Sequence, residues 1–419
     1  MATHLPRIPI LVAVVFSILF TDVIALAASP ARPPYELHDV LSLALSRNPA
    51  LASASSVVDQ RRGEQVSASA YPNPSINGEA GRGSIRDPST GVSIVERTVT
   101  VQQPLEWPAK RAARQRAAAA GVAGALAGLD DTRLNVQTEV KVAFYQLLLA
   151  QRDADLADQN LRAVEEVAEI VKTRVRTGES AKFEGIKSNV EVQKARKELT
   201  RAQNALLVAK TKLDVLTGKA LGQEFAIQGD FDAFPTGLDL PALIGRALDQ
   251  HPSIRQQQKL VEQAGSTLAH ERAARMPNVS VQGTYHREAG DEAITAGLSI
   301  PIPLWYRRQG EITTALGVQR QAEAEQERLR NELEQAVTQY YQEARTANDQ
   351  IGVFEKGLLT QAKEALEIAR FSFQHGATSL LEVLDAQRVY RQTLLEYAEA
   401  RSGLSIALAR LERSIGDLR

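Results

Sequence analysis

The 419-residue sequence contains no cysteine, which excludes disulfides and a lipidated N-terminal cysteine alike. Methionine is limited to Met1 and Met276, and the six histidines are scattered without a His-x-x-x-His spacing. No metal cluster is therefore legible. His286 and His375 could touch a passing metal ion, but isolated histidines are more often ordinary polar surface residues. Phosphate loops, nucleophile elbows and zincin helices are also missing, so neither an enzyme nor a cofactor is expected. Charge of one sign is absent as well: 49 Lys and Arg balance 50 Asp and Glu, without the basic stripe that a nucleic-acid partner requires. Beyond Ala28 no apolar run is long enough for a membrane helix, so entry into a bilayer would have to be made by strands.

What is present begins with a leader. Arg7 precedes an apolar run from Ile8 to Phe20, and Ala25-Leu26-Ala27 has the small-residue spacing of a cleavage site. This order predicts a secretory signal peptide, residues 1–28, cut after Ala27 or Ala28; an uncleaved anchor is the alternative.

Two later stretches alternate with a period of two, which a helix cannot sort onto separate faces. Val279, Val281, Gly283 and Tyr285 alternate with Ser280, Gln282, Thr284 and His286; after a polar turn, Ile294, Ala296, Leu298, Ile300 and Ile302 alternate with Thr295, Gly297 and Ser299. A first hairpin has the same form, with Ile76, Gly78 and Ala80 on one arm and Val95, Val99 and Val101 on the other. Arg97 interrupts its apolar face, as a rim position or a bulge would allow. The predicted hairpins cover 75–102 and 278–302. Each strand is about the 9–11 residues that cross a bilayer at a tilt. A soluble hairpin packed on one side is the plainer alternative.

The remainder reads as helix. Residues 35–70 show apolar spacing of three and four; about 70 residues from Pro108 run almost without a breaker, long enough for roughly 100 Å of helix. Gly178 interrupts this helix, and a further helix of about 40 residues closes at Gly218. After a Gly-, Asp- and Pro-rich linker, 221–238, the plan starts again. His251-Pro252 answers Asn48-Pro49, Pro277-Asn278 answers Pro72-Asn73, Pro303-Leu304 answers Pro104-Leu105, Gly376 answers Gly178, and Gly416 answers Gly218. The offset is roughly 200 residues throughout, the mark of an internal duplication with repeats at 29–220 and 239–419. Each half is predicted as helix, hairpin, very long helix, turn and medium helix. The first and last helices together match the long one in length, so they can stack end to end beside it.

The predicted fold class is mainly α with a small β part: a long antiparallel, coiled-coil-like helical body, with four strands per chain. Four strands with one apolar face cannot end in lipid, because their edges would leave backbone groups unpaired. Closure requires further copies of the chain. Two give eight strands and three give twelve, and the wider barrel can hold water.

The leader, the duplicated plan, the Asn48-Pro49 and His251-Pro252 helices, the Pro72-Asn73-Pro74 and Pro277-Asn278 strand starts and the two glycine turns resemble the TolC-like outer-membrane efflux proteins. The resemblance covers nearly the whole mature chain. Within that family, Gln103-Pro104-Leu105-Glu106 followed by Lys110, Arg111 and Arg114, and Ile302-Pro303-Leu304 followed by Arg307, Arg308, Gln309 and Gly310, look most like the heavy-metal (CzcC-type) branch. The resemblance implies a homotrimer with a transmembrane β-barrel in outer-membrane lipid and a helical barrel reaching through the periplasm. It also implies two partners, a periplasmic adaptor and an inner-membrane RND-type transporter. The expected function is a passive exit duct for divalent metal cations; the alternatives are a duct for organic solutes, or a periplasmic coiled-coil protein with no pore.

The same resemblance places functional residues. Glu382 and Asp385, three apart on a helix, match the paired acids of the family's constricted periplasmic mouth, and Glu184 is the first-half equivalent of Glu382. A solvated helix face is the plain alternative for all three. Thr378 stands where the family carries a basic residue, which puts in doubt any gate relying on that cation. Thr177-Gly178-Glu179-Ser180 and His375-Gly376-Ala377-Thr378-Ser379 resemble the tips that meet the adaptor; a turn needs only the glycine. Trp107, Trp305 and Tyr306 suit an aromatic belt at the membrane interface, or simple packing between helix starts.

Overall fold

The computed structural model describes residues 34–86, 89, 93–222, 224–288 and 291–417; the expected signal peptide at 1–28 lies outside them. Two short helices open each half. The helical pattern at 35–70 is divided into α1 (Leu37–Arg47) and α2 (Pro49–Ser69) by Asn48, whose backbone is extended. The cause is Pro49, whose ring drives the preceding residue out of the helical region. Asn48 then serves as a cap, its Oδ1 accepting from Ala50 N at 2.8 Å. The device repeats between α5 (Leu240–Gln250) and α6 (Pro252–Ala273), where His251 Nδ1 accepts from Ser253 N at 3.1 Å.

Four strands follow the two short-helix pairs: β1 (Ser75–Arg86), β2 (Ser93–Leu105), β3 (Val279–Glu288) and β4 (Asp291–Ser299). They form one antiparallel sheet in the order β1-β2-β3-β4, so the two hairpins join through β2 and β3. Within the chain β1 and β4 are edges. Ile300 and Ile302 continue the alternation past the end of β4 and are exposed.

The long helix is α3 (Pro108–Thr177), 70 residues. It turns at Gly178 into α4 (Lys182–Leu216). In the second half the very long helix expected there is broken. α7 (Gln309–Val353) passes through a π turn at Phe354–Leu358 into α8 (Leu359–Gln374), before Gly376 turns the chain into α9 (Leu380–Ile415). The break centres on Gly357, whose φ of 156° no continuous helix accepts.

α3 packs along α2, α4, α6 and α9, while α7 packs along α6 and α9. Asn48 Nδ2 donates to Leu216 O at 2.9 Å, so α4 ends where α2 begins, and the two lie in line beside α3. The segment at 221–238 is packed rather than loose. Leu221, Phe225 and Ile227 are buried against Val136, Val140 and Phe144, and Tyr35 pairs with the same segment through Ala226 O and Gln228 N. Among the described residues no helix is long and apolar enough to cross a membrane.

Candidate functional site

The sheet is turned inside out relative to a soluble one. Register places Ile76, Val99, Val101, Val281, Tyr285, Ile294 and Leu298 on one face, and each is exposed. The other face carries Thr98, Thr100, Ser280, Gln282, Thr284 and His286, with Thr100 and Thr284 hydroxyls 3.1 Å apart. Water would not select this arrangement, because an exposed contiguous apolar face marks a contact with lipid or protein. Arg97 stands directly opposite Arg287, which in turn faces Glu292 at 3.4 Å. It therefore stands in a charged row with Arg287 and Glu292, on the turn side of the strands.

The segments around Gln103–Glu106 and Ile302–Leu304, with the basic residues after each, are the joint between strands and helices. Arg114 ion-pairs with Glu106 and donates to the carbonyls of Ala68 and Ala70. Arg111 donates to Ser69 O at 2.8 Å and covers the Tyr71 ring. Together they satisfy the otherwise unpaired carbonyls at the end of α2. Lys110 is buried with its Nζ 2.6 Å from Asn278 Oδ1, and burial holds its pKa below the ordinary lysine value. In the second half Arg308, at φ 63°, binds Glu271 at 2.5 Å. Of the aromatics expected at the interface, Trp305 is 89 % exposed and Trp107 is 45 % exposed. The hydroxyl of Tyr306 is committed to the start of α7, donating to Glu311 at 2.6 Å and accepting from Gly310 N at 3.1 Å.

At the opposite end, both turns are left-handed glycine caps, with φ of 79° at Gly178 and 73° at Gly376. The amides after the glycines reach back, Glu179 N to Arg174 O and Ala377 N to Ser372 O, both at 2.8 Å. Thr177 Oγ1 donates to Arg174 O at 3.1 Å, and Ser180 N donates to the same carbonyl at 3.2 Å. His375 bonds its own helix, Nδ1 lying 2.9 Å from Phe371 O, and its ring rests on Phe371. Thr378, two residues past Gly376, precedes the cap residue Ser379.

Glu382 and Asp385 are exposed but not idle. Glu382 closes a capping box, its carboxylate accepting from Ser379 N at 3.1 Å while Ser379 Oγ accepts from Glu382 N. Asp385 holds Arg388 at 2.6 Å. Glu184 lies half-buried in the first turn of α4, behind Ala181, which has no hydroxyl to complete a box.

Two residues that sequence reading did not single out bind the two helical hairpins together here. Arg174 donates to Phe373 O at 2.8 Å and to Gln374 O at 3.1 Å, so the last turn of α3 caps the last turn of α8. Arg391 on α9 reaches Glu198 at 3.2 Å on α4 and Asp153 at 3.5 Å on α3. Arg201 also holds both acids, at 2.9 Å each, and keeps the Glu198 carboxyl below the ordinary range. Nearer the turns Val167, Val171, Phe373, Leu380 and Val383 form a small core that joins α3, α8 and α9.

A model of the outer membrane efflux protein family matches residues 40–219 and 243–417. The cobalt-zinc-cadmium resistance protein CzcC of Cupriavidus metallidurans is 26% identical over 94% of this chain and 93% of its own length. The pyoverdine export outer membrane protein OpmQ of Pseudomonas aeruginosa is 24% identical over 91% of this chain and 84% of its own. A crystal structure of CusC superposes with a TM-score of 0.77 at 20% identity, covering 94% of this chain and 95% of that one. Both halves are matched and the whole architecture is shared, so this chain belongs to the outer membrane efflux protein family, a channel of the Gram-negative outer membrane whose helical body extends into the periplasm.

Proposed function

We propose that three copies of this chain form the exit duct of a tripartite pump that expels divalent metal cations. Each chain offers two unpaired sheet edges, β1 and β4, in a sheet whose apolar face is outward. Three sheets of four strands close into twelve, wide enough for water and ions. The duct is passive: an inner-membrane RND-type transporter supplies the energy, and a periplasmic adaptor docks at the turns around Gly178 and Gly376. Glu382, Asp385 and Glu184 favour cations at the mouth, and the channel opens when the contacts of Arg174 and Arg391 give way.

The cargo reading is carried by the similarity to CzcC over nearly the full length of both chains. It is tested by zinc, cobalt and cadmium accumulation in cells lacking this chain, with and without the wild-type protein restored. Deletion should raise metal content and restoration should lower it. The likeness to OpmQ favours a second reading, export of an organic solute. Unchanged metal content with accumulation of organic solutes would establish that reading and reject the metal one.

A further inference from the structure

We infer that Glu96, His286 and Glu288 form a binding site for a divalent transition-metal ion on the water-facing wall of the sheet. The three residues come from β2 and β3, in different halves of the chain. One ligand atom from each lies within 4.8 Å of those of the other two. On the Nε2 side of the His286 ring Glu288 Oε2 lies 3.4 Å away, while Glu96 stands beside the same ring with Oε1 3.8 Å from Nδ1, which is not the ligating nitrogen. Two donors about 2.0–2.1 Å from one tetrahedral ion stand roughly 3.4 Å apart, which is the imidazole–carboxylate separation found here. One imidazole with two carboxylates is a donor set for zinc or cobalt rather than for calcium or magnesium, and lumen water completes the open position.

The surroundings are those of a site rather than of a chance ion pair. Thr98 lies directly across from His286, its Oγ1 2.9 Å from Nδ1. That contact fixes the ring and leaves Nε2 towards Glu288, as outer-shell partners of ligating histidines do. The neighbouring arginines cannot neutralise the carboxylates from the same side. Arg97 and Arg287 alternate with Glu96, His286 and Glu288, and Arg287 meets Glu292 on the outer face at 3.4 Å. Asp291 stands opposite Glu288 and adds a further negative charge on the water-facing side. The strands join the helices at Leu105 and Val279, so the cluster lies towards the turns, at the end from which cargo leaves. Its use by outgoing cargo rests on the metal-efflux reading; binding by the purified chain does not.

The test is zinc titration of the purified, chelator-treated full chain in detergent, by calorimetry, with the absorbance of bound cobalt as a second readout. One saturable ion per chain is expected. H286Q and E288Q should each weaken binding at least roughly tenfold, the loss that even an outer-shell change produces. H38Q, at an exposed position of α1, should leave binding unchanged. E96Q serves where H286Q fails to assemble. Wild-type binding by H286Q or E96Q, or a flat wild-type isotherm, would overturn the site while leaving the efflux reading intact. Unchanged metal content in deletion cells would overturn the efflux reading while leaving the isotherm intact.

Discussion

His251 joins two helices end to end, with Nε2 3.0 Å from Arg413 O on α9 and Nδ1 3.1 Å from Ser253 N on α6. Because Nδ1 accepts, the proton sits on Nε2 and the ring is held as one neutral tautomer. Only 2 % of the residue is exposed, and burial pushes its pKa below the ordinary histidine value. The unfolded chain therefore binds a proton that the folded chain resists. Stability from this joint is fully present above about pH 6.5 and is lost as pH falls through the lowered folded value. Asn48 makes the same joint in the first half with an amide, which does not titrate. His251→Asn should accordingly flatten the loss of thermal stability between pH 7 and 5, measured as melting of the purified protein in detergent. His251→Ala, which removes both bonds, should cost about 1–3 kcal/mol at pH 7.5.

Gly178 and Gly218 have similar backbones, with φ of 79° and 65°, but different surroundings. A Cβ on Gly178 meets nothing within 4 Å, whereas one on Gly218 falls 2.7 Å from Arg47 O. Gly178→Ala should cost about 1–2 kcal/mol of local backbone strain. Gly218→Ala adds a clash with another backbone and should cost about 2–5 kcal/mol in total. The comparison is made on melting temperature in detergent, and equal shifts would contradict the crowding at Arg47.

The strands and the 70-residue helix were legible because their signals are local: a period of two, and a long run without breakers. Asn48-Pro49 and His251-Pro252 were visible as repeated anchors, but the helix boundary they impose was not drawn from Pro49 alone. The break at Phe354–Leu358 had a signal in Gly357, set among strong helix formers; its π geometry depends on how α7, α8 and α9 pack. Least legible were the Glu96–His286–Glu288 cluster and the Arg174 and Arg391 clamps. Each joins residues from different halves of the chain, and only strand register and helix packing bring them together.

The two clamps make a prediction about opening. Arg391 and Asp153 are largely buried, with side-chain exposures of 20% and 13%, so removing the guanidinium leaves an inward carboxylate short of a partner. Arg201 remains on both acids, which limits the cost to about 1–3 kcal/mol. Arg391→Ala should raise conductance of the reconstituted channel, and Arg174→Ala should do so through loss of the cap on α8. The double variant should exceed the sum of the two if the clamps close one shared element. Conductance equal to wild type in both single variants would show that neither clamp bears on the mouth.

Glu382 and Asp385, proposed for the mouth, allow the effect of charge to be separated from that of structure. Glu382 builds the start of α9 through its bond from Ser379 N, and glutamine can accept the same bond. Glu382→Gln should therefore change thermal stability by less than about 0.5 kcal/mol. Asp385→Asn frees Arg388 from an exposed i,i+3 pair, which is worth only about 0.3–0.5 kcal/mol. In a trimer the two substitutions together remove six negative charges from one ring, two from each of three chains. The ratio of cation to anion permeability, from reversal potentials across a salt gradient, should fall in the double variant, and more steeply at low salt, where charge is less screened. Glu184→Gln, at the equivalent place in the first half, should add to the fall. Unaltered selectivity in the triple variant, with the fold intact, would assign these acids to helix capping and solvation alone.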